Sequence, residues 1–147
     1  MITVADLLKI KGNQVWTIAP GTTLLEALRL MAEKNVGALL VVANDKIVGI
    51  ITERDFARSI AKTGRCLVDS AVHDYMTTDV VTIQLSQSIE DVMMLMNRGK
   101  FRHLPVLDGE KLVGIVSIGD VVKQIIASKD SFIDSLANYI ENRGYGH

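Results

Sequence analysis

Apolar and polar positions along this chain change rhythm in a fixed order, and the order occurs twice. A short β-branched run at residues 15–18, and again at 80–83, predicts a strand. Each is followed by a capping box, Thr23-x-x-Glu26 and Ser88-x-x-Asp91, which marks a helix start. Behind the boxes Leu24, Leu28 and Met31, then Ile89, Val92, Met93 and Met96, fall at helical spacing, so those faces are expected in the core. Two apolar strands come next, 39–42 with 47–51 and 104–107 with 112–116. Asn44-Asp45 and Asp108-Gly109 join them as hairpins. A second helix, 55–62 or 120–127, closes each series.

Sliding the chain over itself by 65 positions makes the repetition explicit without a gap. Val15-Trp16-Thr17-Ile18 falls on Val80-Val81-Thr82-Ile83, Lys46-Ile47-Val48-Gly49-Ile50 on Lys111-Leu112-Val113-Gly114-Ile115, and Asp55 on Asp120. The expected fold class is α+β, with two β-α-β-β-α repeats. Neither copy is large enough to bury its apolar strands alone, so the copies are expected to pack about a pseudo-twofold axis. The expected division is 1–70 for the first repeat, 71–130 for the second and 131–147 for a C-terminal helix and tail, with 69–79 as the connection. Phe132, Ile133, Leu136, Tyr139 and Ile140 give the stretch 131–142 an amphipathic helical pattern ahead of a flexible Gly144-Tyr145-Gly146 tail.

Composition narrows the class. The chain has 147 residues, of which 48% are hydrophobic, enough for a core without staples. Cys66 is the one cysteine, and His73, His103 and His147 stand far apart, so neither a disulfide framework nor a structural metal is expected. Asp6 and Lys9 interrupt the N-terminus too early for a signal peptide, and no apolar run approaches the roughly 20 residues of a membrane span. The expectation is a cytoplasmic protein with no membrane association. A net charge of −1, with both signs mixed along the chain, gives no field to attract nucleic acid.

The candidate chemistry lies at the paired segments Gly49-Ile50-Ile51-Thr52-Glu53-Arg54-Asp55 and Gly114-Ile115-Val116-Ser117-Ile118-Gly119-Asp120. In both, a buried strand ends at a hydroxyl residue and a carboxylate follows three positions later. Two readings fit. The boxes act only as helix caps, or the same geometry holds a nucleotide. A helix N-terminus offers amides and partial positive charge to a phosphate, while an ionised Asp accepts charge-assisted bonds from the two hydroxyls of a ribose. Strand residues near Ile18, Ile83, Ile50 and Ile115, with backbone polar groups, would then supply an adenine slot.

The repeat pattern, the segment Tyr75-Met76-Thr77-Thr78-Asp79-Val80-Val81-Thr82, the hairpin Arg102-His103-Leu104-Pro105-Val106 with Leu112-Val113-Gly114-Ile115-Val116, and the two Gly-x-x-Thr/Ser-x-x-Asp motifs together resemble the CBS-domain family from about residue 4 to 127. The resemblance implies a stand-alone tandem CBS module, often dimeric. Such a module binds AMP, ADP, ATP or NAD in two clefts and signals to a regulated protein partner, with no catalytic domain or catalytic cofactor. Carried over by position, it assigns Asp55 and Asp120 to ribose, and Thr52 and Ser117 to the ribose-phosphate region. It places Thr82, Arg102 and His103 by the Asp55 cleft, and Thr17, Gly37 and Ala38 by the Asp120 cleft. Arg54 has Gly119 as its counterpart, while Arg102 and His103 have Gly37 and Ala38, so cationic phosphate ligands gather on one side.

Other residues read more simply. His103 fits either a phosphate contact or a hydrogen-bonded structural histidine, and Met93, Met94 and Met96 read as core, with Met94 at an interface. Cys66 lacks a positioned histidine, and Lys9, Lys11 and Gly12 form a basic turn that is solvated or approaches a phosphate. Two other functions compete with the sensor: a structural interaction module in which the boxes are only caps, and a nucleotide hydrolase. The hydrolase is disfavoured because neither motif supplies a metal cluster or a general base.

Overall fold

The computed structural model describes residues 1–142, without the side chains of 130–136 and 138–142. The apolar face expected on Phe132, Ile133, Leu136, Tyr139 and Ile140, and the tail at Gly144-Tyr145-Gly146, therefore lie outside the described residues. In chain order the elements are α1 (Val4–Lys11), β1 (Thr17–Ile18), α2 (Leu24–Lys34), β2 (Ala38–Ala43), β3 (Lys46–Thr52), α3 (Glu53–Thr63), a 3-10 turn at Val72–Asp74, β4 (Ile83–Gln84), α4 (Ile89–Gly99), β5 (His103–Asp108), β6 (Lys111–Ser117) and α5 (Ile118–Asn142). The fold is mixed α+β, with two three-stranded sheets ordered β1-β2-β3 and β4-β5-β6. The first pair of each sheet is parallel and the second is an antiparallel hairpin.

Both hairpins follow from local chemistry, by different turns. Asn44 and Asp45 both take positive φ, 52° and 62°, as a type I′ pair requires. In the second hairpin Asp108 pairs with Lys111, so the turn is Gly109-Glu110, one residue later than Asp108-Gly109. Gly109, with φ 65°, takes the first central position, where a II′ turn needs glycine. Each hairpin also carries the same bulge. Val41 faces Gly49 while Val42 faces Ile47, which leaves Val48 extra, and Val106 with Gly114 and Leu107 with Leu112 leave Val113 extra.

The compact units do not coincide with the repeat lengths. One is Gln14–Thr82, and the other joins Met1–Asn13 to the chain from Ile83 onward. Hydrogen bonds give the reason. In the first unit the entry to α2 is closed by the segment after α3: Leu24 N–H donates to Ser70 O at 2.8 Å, Val72 N–H to Thr22 O at 2.8 Å, and Thr23 bridges Ala71. In the other unit the entry to α4 is closed by the start of the chain: Ile89 N–H donates to Ile2 O at 3.1 Å, Val4 N–H to Gln87 O at 2.8 Å, and Thr3 bridges Ser88. Val72 and Val4, both fully buried, hold equivalent places. The bulge glycines admit these segments. A Cβ on Gly49 would collide with the Met76 side chain, and one on Gly114 would lie 2.9 Å from both methyl carbons of Leu8.

The core of the first unit gathers Leu24, Ala27 and Met31 of α2 with Leu39, Val41, Ile51, Phe56 and Val72. The α4 face is buried at Ile89, Val92 and Met96, while Met94 is 58% exposed. The box at Thr23 is reciprocal with Glu26. At Ser88 only the forward bond, from the Asp91 amide to Ser88 Oγ at 3.1 Å, is present among the described residues. One predicted break is missing. Helix α5 runs unbroken from Ile118 to Asn142, where the sequence predicts helices at 120–127 and 131–142. No glycine or proline stands between those stretches, and the Ser128 hydroxyl donates to Gln124 O at 3.0 Å within the helix.

Candidate functional site

The Thr52 and Ser117 corners are built alike. Thr52 is the N-cap of α3: its Oγ1 accepts from the Asp55 amide at 3.2 Å, and Asp55 Oδ2 accepts from the Thr52 amide at 2.9 Å and hydroxyl at 3.1 Å. At α5, Ser117 Oγ accepts from the Asp120 amide at 3.1 Å and Asp120 Oδ2 accepts from the Ser117 amide at 2.9 Å. The described hydrogen bonds to both carboxylates thus fall on Oδ2. The first amide of each helix is also taken. Glu53 N–H donates to Gly37 O at 3.1 Å and Ile118 N–H to Arg102 O at 2.8 Å. The second amide, of Arg54 or Gly119, has no partner among the described residues and belongs to the positive end of the helix dipole.

Strand register places the flanking residues. In the first unit Ala38 lies across from Thr52, with Gly37 just before it. Thr17 and Ile18 sit on β1 beside Leu40 and Val41. Arg54 is exposed on the first turn of α3, and Thr82 is half-buried at the end of that unit. A depression of about 450 Å³ behind this corner is lined by Leu28, Met31, Val36, Gly37 and Glu53, among others. In the other unit His103 lies across from Ser117 and is half-buried, while Arg102 is exposed. Ile115 is half-buried next to this corner, whereas Ile83, expected to line an adenine slot, is wholly buried.

Lys11, where the sequence predicts a basic turn, is the last residue of α1. Its ammonium donates to Ile115 O at 2.6 Å, across 104 positions of sequence, and pairs with Asp120 Oδ2 at 2.8 Å. Burial alone would raise the Asp120 carboxyl. The Lys11 ammonium, with the Ser117 amide and hydroxyl, more than offsets it, and the group is held below the ordinary 3.8. The equivalent strand position of the first unit is closed differently. Ile50 exchanges two backbone bonds of 2.9 Å with Thr77. The corners therefore differ in a way that the Arg54/Gly119 comparison did not reveal.

Each corner thus combines a helix-terminal amide, a hydroxyl and a carboxylate with one oxygen turned away from the cap, a set suited to a polar anionic ligand with hydroxyl donors. Among the described residues no group of three His, Cys, Asp or Glu side chains could hold a metal ion, and no helix is long and apolar enough to cross a membrane. A family model described as CBS domain matches residues 4–62 and 72–127. The CBS domain-containing protein CBSX3, mitochondrial, of Arabidopsis thaliana is 34% identical over 153 residues, which covers 97% of this chain and 73% of that protein. Among solved structures, CBSX2 in complex with AMP is 30% identical with a TM-score of 0.70, over 88% of this chain and 99% of that one. The CBS domain pair of protein MJ0100, in complex with 5′-methylthioadenosine and S-adenosyl-L-methionine, is 25% identical with a TM-score of 0.76, over 88% of this chain and 98% of that one. With two matches that together take up most of its length, the chain belongs to the CBS-domain family, as a tandem pair of CBS domains.

Proposed function

We propose that this protein is a cytoplasmic regulatory sensor that binds an adenosine nucleotide, AMP, ADP, ATP or NAD, at its Thr52-Asp55 and Ser117-Asp120 corners. It signals by a ligand-dependent change in shape or in affinity for a protein partner. One observation carries the reading: the caps use Oδ2 of both aspartates, so Oδ1 remains to accept from ribose hydroxyls without unmaking a helix start. The Arg54 and Gly119 amides, without a partner among the described residues, suit phosphate, and the outward carbonyl of Ile115 suits the adenine amine. Adenosine compounds bound to CBSX2 and to the MJ0100 pair support the ligand class.

The pure-cap reading keeps one observation in its favour, since in both boxes the hydroxyl residue and the aspartate satisfy each other as N-cap and N3. A melting screen separates the two. A ligand that binds only the folded state stabilises by about 2.7 kcal/mol at 100 times its dissociation constant. Adenosine nucleotides are expected to raise the melting temperature more than guanosine or pyrimidine nucleotides do. Equal shifts for all bases would mean that only ribose and phosphate are read, and no shift for any would leave the caps as the whole function. The protein is further proposed to be a homodimer, because Met94 on α4 and Val122 and Ile126 on α5 are 58%, 39% and 54% exposed.

A further inference from the structure

We propose that Lys11 occupies, in the ligand-free protein, the polar groups that an adenosine ligand takes at the Asp120 corner, so that the end of α1 is a tethered competitor released on binding. The inference rests on the reading of that corner as an adenosine site. An ammonium has three N–H donors and no acceptor. Two of them reach Ile115 O at 2.6 Å and Asp120 Oδ2 at 2.8 Å. The first is the contact the adenine amine would make with the strand carbonyl; the second holds the ammonium against the carboxylate whose other oxygen, Oδ1, a ribose hydroxyl would use. The lysine therefore takes the carbonyl an adenine amine would use and neutralises the carboxylate a ribose would use.

The first unit shows what the alternative closure looks like. There the edge at Ile50 is held by two backbone bonds to Thr77, which can leave only if the chain segment moves. Ile115 has no such bridge among the described residues. Its edge is closed by a side chain on a flexible four-carbon stem, which can swing away while α1 stays folded. The side chains of Lys11 and Asp120 are 25% and 27% exposed, so the displaced ammonium reaches water directly. A neutral nucleoside must displace the lysine and offers it nothing in return. A nucleotide gives the released cation a phosphate to pair with. Lys11 thus sets a preference for phosphorylated over unphosphorylated adenosine at this corner and couples its occupancy to the end of α1.

The test follows the acylation rate of individual lysines by mass spectrometry and titrates adenosine and AMP by calorimetry, on the unmutated protein and on Lys11→Met and Lys11→Arg. Without ligand, Lys11 is expected to react several-fold more slowly than the exposed Lys9, and saturating adenosine to bring the two rates together. Lys11→Met should bind adenosine at least about 5-fold more tightly and gain less for AMP, while Lys11→Arg should behave as the parent does. If adenosine binds the parent while Lys11 stays protected, or if Lys11→Met binds adenosine no better, the competitor role is overturned and the adenosine reading stands. If no adenosine compound binds parent or variant, both fall together. The acylation readout needs no variant to fold.

Discussion

Replacing Asp55 by Asn separates a cap from a ligand contact within one side chain. Asp55 Oδ2 accepts from the Thr52 amide at 2.9 Å and hydroxyl at 3.1 Å, and the Asp55 amide returns a bond to Thr52 Oγ1 at 3.2 Å. Asn keeps an acceptor oxygen at the same reach, so the box persists in a neutral and weaker form. The expected loss of stability is about 0.5–1 kcal/mol, a fall in melting temperature of a few °C for a chain of this size. On the proposed reading, the charge that would face a ribose is lost outright. A hydrogen bond to a charged group contributes about 1.5–3 kcal/mol, so affinity at this corner should fall on the order of 10- to 150-fold. A 2′-deoxy nucleotide should show a similar loss on the parent and little further loss on the variant, since both changes delete one contact. Thermal melting and calorimetric titration of the four combinations measure this cycle. A variant that melts early yet binds adenosine nucleotide as well as the parent would show that the carboxylate is a cap and no more.

Three further outcomes follow from the packing and charge. Gly114→Ala places a methyl 2.9 Å from both Leu8 methyl carbons and should destabilise by about 1–3 kcal/mol in chemical denaturation. Leu8→Ala in the same chain should recover part of that loss, and strictly additive losses would refute the contact. The folded-state value of Asp120 is depressed, so its contribution to stability is present above the ordinary 3.8 and is lost as pH falls through the lower folded value. The melting difference between parent and Lys11→Met should therefore be constant near neutrality and vanish in acid below that value, and a difference that grew in acid would contradict the pairing. Light scattering at micromolar concentration should give a dimer mass that Met94→Asp shifts toward monomer, and a monomer mass for the parent would reject the interface.

The sequence by itself determined the repeated elements from β1 to α5 and their twofold repetition, though not α1, whose end it reads as a basic turn, because strand alternation, helical spacing, capping residues and turn glycines act over a few residues. Thr52 with Asp55 and Ser117 with Asp120 were legible for that reason: an N-cap and its N3 partner are three positions apart and fix each other. The turn Gly109-Glu110 and the unbroken α5 are misses of the same local kind, a shift of one residue and a boundary with nothing to break it. What only the tertiary structure decided lies at long range. Val4 fills beside α4 the place that Val72 fills beside α2, so the start of the chain closes the second repeat and the connection closes the first. Ile83 reads as an equally good strand residue whether it lines a slot or the core, and only packing put it in the core. Lys11 meets Ile115 and Asp120 across more than a hundred positions. No spacing rule reaches that far, because the contact is set by how α1 docks on its sheet, and docking depends on shape complementarity such as Leu8 against the bare Cα of Gly114.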